Sequence, residues 1–134
     1  MNRWLSLKSI GALILALVVA FGVGWLAGGT GRAAIEQQLA ASEERANFAQ
    51  ARALIGDGRV SLFLVNFGDA SRRFEEARGV VERMQTKLRE LGQAERAGRL
   101  EIALSHLRDA QRLAASLDSS AQGAAAEALR ALGS

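Results

Sequence analysis

The hydrophobic positions of this chain form one long apolar segment followed by a series of shorter stripes. Residues 10–27 carry no charge, and as a helix they would cover roughly 27 Å, close to the hydrocarbon thickness of a bilayer. Beyond residue 30, apolar residues recur at three- and four-residue steps, which is typical of amphipathic helices. The pattern predicts an all-α protein, with an N-terminal transmembrane helix over residues 10–29 and a small antiparallel helical bundle or helix stack after it.

The apolar segment also carries small residues at every fourth position. In a helix this spacing produces a flat stripe along one side, where a second helix can approach closely. We therefore predict a membrane helix-packing face made of Ala12, Ala16, Ala20, Gly24 and Gly28.

The two ends of the segment indicate how it is oriented. Trp4 and Trp25 lie where indole rings anchor a helix at the membrane interface, and Arg3 and Lys8 precede the span. We expect a bacterial-type cytoplasmic (inner) membrane location, with the N-terminus inside and the C-terminal domain extracytoplasmic. A signal peptide cleaved near Gly24 is the competing interpretation, and it would release a secreted helical binding domain. The apolar stretch is longer than a usual signal core, which favours the anchor.

Four regions follow from these patterns. They are a cytoplasmic N-terminus (1–9), the span (10–29), a linker with a juxtamembrane helix (30–55) and a helical domain (56–134). Within residues 32–55 we predict an apolar stripe that must pack on the domain or on a partner, consisting of Ile35, Leu39, Ala46, Ala49 and Ala53 or Leu54. The glycines of Gly56-Asp57-Gly58 predict a break after this helix.

Residues 60–67 form the most hydrophobic stretch outside the predicted span. They have no second run with which to pair as a strand, and an unpaired strand is not stable. We expect a buried helical segment that either lies at the centre of the domain or meets a partner with one side. The predicted partner-binding residues are Leu62, Phe63 and Phe67.

The remaining residues predict three further helices. Gly68 is expected to end one helix and Asp69 to cap the next. A polar turn is expected over residues 93–99, with Gly98 as a C-terminal cap. One apolar stripe runs from Ala70 through Leu88 and is continued by Leu91, and the next runs from Leu100 to Leu117. A capping box of Ser119 with Gln122 starts a last helix over about 120–132.

Two of these helices share a pattern at an offset of 33 residues, because Ala70, Phe74, Ala77 and Val80 match Ala103, Leu107, Ala110 and Leu113. The pattern resembles the second helix of a tetratricopeptide repeat, whose period is 34. The resemblance covers about residues 52–117, and Leu54 and Gly58 match the repeat's first helix. The chain lacks the family's proline and tyrosines. The resemblance implies a scaffold that binds protein segments in a groove, and a plain helical bundle remains the alternative.

Composition removes several function classes. The chain has no cysteine, which rules out disulfides and thiolate metal sites. Its net charge is +3. Beyond the span, 15 basic residues stand against 14 acidic ones, a net +1, and the two signs are interspersed. Nucleic-acid binding requires a clustered basic face, so we expect no nucleic-acid partner.

The candidates for chemistry are few. His106 is the single histidine, and Asp109 follows it by three residues. The carboxylate neighbours Glu43–Glu44 and Glu75–Glu76 point about 100° apart on a helix, so neither pair forms a good dyad. We expect no enzyme activity, cofactor, metal or small-molecule substrate.

These patterns together predict a membrane-anchored accessory or scaffold subunit. Its expected partners are membrane lipids and either other membrane-protein subunits or a second copy of itself. A self-associating structural protein is therefore the alternative. A respiratory or photosynthetic complex is one candidate host, although no residue specifies it.

Overall fold

The computed structural model describes the backbone of residues 3–133 and the side chains of residues 31–133. It contains α1 (Arg3–Phe63), α2 (Phe67–Glu90), α3 (Ala94–Ala115) and α4 (Ala121–Ala131). The all-α prediction is confirmed, since the described backbone consists of helices and turns without a strand. The chain divides into two units, Met1–Ser42 and Glu43–Ser134.

The predicted membrane span lies outside the residues whose side chains are described. Over residues 31–133, no helix has both the length and the apolar character that crossing a membrane requires. That finding does not extend to residues 10–29, to their stripe of small residues or to Trp4 and Trp25.

The second unit is an antiparallel four-helix bundle, formed by residues 43–63 of α1 and by α2, α3 and α4. Arg78 near the middle of α2 donates to Gln111 near the end of α3 (Nη1 to Oε1, 2.8 Å), whereas Gln85 further along α2 donates to the carbonyl of Ala97 near the start of α3 (3.1 Å). Contacts between α1 and α4 also run in opposite directions. Short loops between antiparallel neighbours are typical of this architecture.

The core of the bundle combines a few large side chains with many alanines. The largest fully buried side chains are Phe74, Ile55, Leu104, Leu107 and Val81. Alanines from all four helices fill the spaces between them, which lets the helix backbones approach closely. The structure buries the apolar stripes predicted for α2 and α3 except at their C-terminal ends, where Leu91 and Leu117 are exposed.

The predicted break at residues 56–58 is wrong, because α1 continues through them to Phe63. A Cβ atom at Gly58 would lie 2.6 Å from Cε1 of Phe74. The glycine therefore leaves room for a fully buried aromatic ring of α2. Its function in the fold is close packing between two helices, not the termination of one.

The apolar stripe predicted for the juxtamembrane helix also differs from the face that is buried. Ala46, Ala49 and Ala53 are exposed, whereas α1 packs into the bundle through Ala51, Ile55, Gly58 and Leu62. Leu54, the predicted alternative to Ala53, is partly buried against this core. In the first unit, the side chains of Ile35 and Leu39 are 67% and 58% exposed.

Several predicted helix ends are corrected. Asn66, not Asp69, caps α2, and its side chain accepts a hydrogen bond from the Asp69 N–H at 3.2 Å. Gly98 lies inside α3, and the preceding turn instead contains Gly92 at φ 72°. The predicted capping box is absent at the start of α4, where Asp118 Oδ1 accepts from the backbone N–H of Ser120 at 2.8 Å.

The two helices that share a sequence pattern are direct neighbours in the bundle. Only residues 91–93 separate α2 from α3. A tetratricopeptide arrangement needs a further helix between them. Over residues 43–133 the shared pattern therefore marks two helices that pack against each other, and the bundle is the architecture observed.

Candidate protein-interaction surfaces

The end of α1 is a tight hydrogen-bonded turn. The N–H of Val65 donates to the Leu62 carbonyl at 3.0 Å, and the N–H of Asn66 donates to the Ser61 carbonyl at 2.8 Å. This pair of bonds is the Schellman arrangement, whose penultimate residue adopts a left-handed backbone. That residue is Val65, at φ 59°, although glycine is usual at such a position and a β-branched side chain is disfavoured there.

An apolar tip surrounds this turn. We define it as Val60, Phe63, Leu64 and Val65, whose side chains are 56%, 74%, 74% and 73% exposed. Scattered exposed hydrophobics are ordinary on a protein surface, but a contiguous group is a mark of an interaction site. Within the tip, Phe63, Leu64 and Val65 form the longest run of consecutive exposed large hydrophobic side chains among residues 31–133.

The turn between α3 and α4 repeats this geometry. The N–H of Leu117 donates to the Ala114 carbonyl at 3.0 Å, and the N–H of Asp118 donates to the Leu113 carbonyl at 2.9 Å. Leu117 has φ 60° and is 71% exposed. A second large apolar side chain is thus held outward on a left-handed residue.

Both turns lie at the same end of the bundle. Arg59 in the last turns of α1 donates from Nε to Gln122 Oε1 at 3.1 Å, and Gln122 in the first turn of α4 donates back to the Arg59 carbonyl at 2.9 Å. This reciprocal pair fixes the start of α4 beside the end of α1. Leu117 and the apolar tip therefore face solvent at one end of the four helices.

The three residues predicted as a partner-binding surface are not brought together on one exposed face. Phe63 is exposed, Leu62 is 7% exposed and belongs to the core, and Phe67 is partly buried against it. The sequence pattern did not select Leu64 or Val65, and it wrongly placed Leu117 in the buried stripe of α3, where the structure exposes this side chain. The sequence did carry a signal for Leu64 and Val65. Both follow Leu62, which is the last residue on the buried face of α1.

A polar cluster holds the turn in place below the tip. Ser61 Oγ donates to Asp69 Oδ2 at 2.6 Å, and Arg72 contacts the other carboxylate oxygen. The hydrogen bond from Ser61, followed by the interaction with Arg72, lowers the pKa of Asp69 from its ordinary value of 3.8. The cluster ties the last turn of α1 to the first turn of α2, and its charge is satisfied within the chain.

A second exposed surface lies along α1, on the side opposite the bundle core. We define this outer face as Ala46, Ala49, Ala53, Gly56, Val60 and Phe63. All of them are exposed except Gly56, which is partly exposed. The outer face shares Val60 and Phe63 with the apolar tip.

Three of the four acidic residues considered for chemistry form ion pairs in the structure. Glu43 contacts Lys87 at 2.8 Å, Glu44 pairs with Arg96, and Glu76 lies 3.6 Å from Arg73. These contacts engage the three carboxylates with neighbouring cations of the same chain.

Glu101 is engaged in the same way within the bundle. It accepts from Gln85 Nε2 at 2.8 Å, and this bond is the largest cause of the lowered pKa of Glu101. Arg108 also donates to it at 3.2 Å. The carboxylate therefore joins α2 to α3 and is satisfied by donors of this chain.

Among the described residues, His106 belongs to no group of three potential metal ligands. Its side chain is partly buried in α3, and Asp109 is engaged by Arg112 at 3.2 Å. Among residues 31–133, no three histidine, aspartate or glutamate side chains are grouped as a metal site would require.

One cavity lies where all four helices approach each other, lined by residues that include Phe48, Leu88, Arg96 and Leu132. Its volume is about 100 Å³. Pockets for drug-sized ligands usually measure about 300–1,000 Å³. This cavity is therefore a weaker candidate site than the two exposed apolar surfaces.

Comparison with known proteins adds no family to this description. No family model, curated protein or solved structure matches the chain.

Proposed function

We propose that this chain is a non-catalytic, membrane-anchored helical protein that serves as an accessory or scaffold subunit of a larger membrane complex. The apolar tip is the observation that carries the proposal. Three consecutive large apolar side chains, Phe63, Leu64 and Val65, are each more than 70% exposed at one end of the bundle. Such a group favours contact with another protein.

The backbone of the tip supports the same interpretation. A left-handed residue costs roughly 1–2 kcal/mol when it carries a side chain, and glycine would avoid this cost at position 65. Because Val65 is exposed as well as strained, its side chain contributes little to the core. A contact outside the bundle accounts for an apolar side chain at such a position.

The membrane anchor is proposed from the sequence. Residues 10–27 are free of charge, and Arg3 and Lys8 precede them. A span with this flanking charge orients its N-terminus toward the cytoplasm. The bundle then lies on the extracytoplasmic side, and lipids and neighbouring membrane subunits are its partners.

Flotation with lipid vesicles tests the anchor. Full-length chain should float with vesicles and remain bound after alkaline extraction, because a single span holds firmly in the hydrocarbon layer. A chain with Ile14 and Val18 changed to arginine is the matched control and should be released. If the unchanged chain stays in the soluble fraction, or its mature form begins beyond Gly24, the anchor is excluded.

Site-specific photo-crosslinking in native membranes tests the tip. A photoreactive residue at position 64 should form a discrete adduct with a larger protein, whereas one at exposed Ala94, in the first turn of α3 at the other end of the bundle, should not. Changing Val65 to serine should weaken the adduct at position 64 several-fold. Equal labelling at positions 64 and 94 would exclude the tip as a partner-binding surface.

Self-association is the second candidate function, and a separate observation favours it. The outer face of α1 is apolar and exposed over residues 46–63, and none of its alanines contributes to the bundle core.

A further inference from the structure

We propose that two copies of this chain pair in parallel through the outer face of α1, forming a short two-stranded coiled coil over residues 43–63. The inference goes beyond the proposed accessory function. It requires neither the membrane anchor nor a partner at Leu64 and Val65.

The spacing of the outer face is the first argument. Its residues alternate steps of three and four, which is the a/d spacing of a coiled-coil heptad. The a positions are Ala46, Ala53 and Val60, and the d positions are Ala49, Gly56 and Phe63. In the sequence, Ile35, Leu39 and Ser42 continue the same spacing toward the N-terminus.

The bundle uses the other side of the same helix. Ala51 and Gly58 occupy f positions, and Ile55 and Leu62 occupy c positions. All four are buried in the bundle. One half of the circumference of α1 thus packs against the bundle. The a and d positions on the other half, which we call the seam, are exposed, Gly56 partly so.

The sizes of the seam residues indicate how closely the two helices pack. Alanine and glycine at positions 46, 49, 53 and 56 allow a short interaxial distance, and Val60 and Phe63 add apolar area at one end. The small residues bury little surface, so we expect a weak contact when free in solution. Chains held in one membrane would pair more readily, because their local concentration is higher.

Charges beside the seam select a second copy as the occupant and set its direction. The g positions are Arg45, Arg52 and Arg59, and the e positions are Glu43, Gln50 and Asp57. In a parallel pair each g residue meets an e residue of the other helix five positions further on, and such contacts set partner and orientation. Arg52 then faces Asp57, Arg45 faces Gln50 and Arg59 faces Leu64, so the opposite-charge contact of the pair is Arg52 with Asp57.

The antiparallel alternative places like charges together. There, g positions face g positions, so arginine would meet arginine along one side of the pair. Like charges at such contacts are unfavourable. An interface between two identical copies must be self-complementary. The charges on this surface meet that requirement only when the two helices run in the same direction.

Contacts within the chain leave these side chains available. Arg52 donates from Nη2 to the Leu132 carbonyl at 3.0 Å, and Arg59 donates from Nε to Gln122 at 3.1 Å. A guanidinium has five N–H donors, so each retains others for a second chain. Glu43 contacts Lys87, and Gln50 and Asp57 are exposed.

Disulfide scanning of the full-length chain in mild detergent tests the pairing. The chain has no cysteine, so each introduced thiol is unique. Single cysteines at positions 46, 49, 53 and 60 should each form disulfide-linked dimers on mild oxidation. Ala94→Cys, on the exposed first turn of α3, is the matched control and should give at least ten-fold less dimer.

The pattern of dimers decides between the arrangements. In an antiparallel pair a residue faces its own copy only at the centre of the contact. Such a pair would therefore link at most one of the four positions to itself. A result of that kind, or equal linking at position 94, or no linking at any of the four, would overturn the proposal. Circular dichroism of each reduced variant should show unchanged helix content, because all four positions lie outside the bundle core.

A charge-reversal experiment tests the direction independently. Chains carrying Asp57→Arg and chains carrying Arg52→Glu should each pair poorly with themselves, while a mixture of the two should form mainly the mixed dimer. Trapping through a cysteine at position 49 measures the proportions. If the mixed dimer is no more abundant than random pairing produces, the parallel contact is excluded, whatever binds the apolar tip.

Discussion

Two residues of this bundle occupy backbone positions that another residue type would fit better. Gly58 lies inside a helix, where alanine would be intrinsically better, and Val65 lies in a left-handed turn, where glycine would be better. The first choice is explained by the ring of Phe74, which occupies the space a Cβ atom would need. The second has no explanation within the fold and is explained by the proposed partner contact.

Gly58→Ala should destabilise the bundle by about 1–3 kcal/mol, the usual cost of overpacking a core. Phe74 is fully buried and cannot move aside. Gly98→Ala is the control, because a Cβ atom there meets nothing within 4 Å, and that change should stabilise α3 by up to about 1 kcal/mol. Urea unfolding followed by circular dichroism measures both, and equal effects would contradict the packing role.

Val65→Gly should raise stability by about 1 kcal/mol, because glycine removes the steric cost of the left-handed backbone. The same variant should lose the partner adduct at the tip, since the apolar side chain is gone. Leu117→Gly should give a similar gain at the second turn. A loss of stability in both variants would show that these side chains contribute more to the fold than their exposure indicates.

At the scale of helices, sequence period predicted the buried faces of α2 and α3 well and the helix ends poorly. Large side chains such as Phe74, Leu104 and Leu107 dominate the apolar period, so their faces are unambiguous. The position of each helix end depends on which of the nearby polar side chains caps the helix. Asn66 precedes Asp69 by three residues and caps α2 instead, while Asp69 bonds to Ser61 of the preceding helix.

The contact between Ser61 and Asp69 makes a prediction about pH. The pKa of Asp69 is lower in the folded chain than in the unfolded chain, so its contribution to stability is present above the ordinary carboxyl pKa. That contribution is lost as the pH falls through the folded-state pKa. Ser61→Ala should move the pKa of Asp69 upward, toward its ordinary value, in an NMR titration. Asp118, whose pKa is lowered mainly by the Ser120 side chain, should titrate unchanged.

At the scale of the whole molecule, composition predicted the all-α class, but α1 could not be predicted in full. Its alanines lie on every side, so the sequence does not distinguish the stripe of Ala46, Ala49 and Ala53 from the true core face of Ala51 and Ile55. The glycines at positions 56 and 58 also led to the wrong prediction of a helix break. Close packing of Gly58 against an aromatic ring on another helix is not visible in a local sequence pattern.

The unit Glu43–Ser134 should fold without the residues before it. It has its own core, which includes Ile55, Phe74 and Leu104. A chain beginning at residue 43 should show helical circular dichroism and one cooperative thermal transition, as small single domains usually do. A non-cooperative transition would mean that the bundle depends on residues 1–42.

The division of α1 into a bundle side and an outer side has a consequence for mutational tolerance. Polar substitutions at 51, 55 and 62 should lower the amount of protein that cells accumulate. The same substitutions at 49 and 53 should leave accumulation unchanged and remove only self-recognition. A saturation library over residues 43–63 can be scored for protein accumulation and for self-association. The positions sensitive in each measurement should repeat every seven residues and lie on opposite sides of the helix.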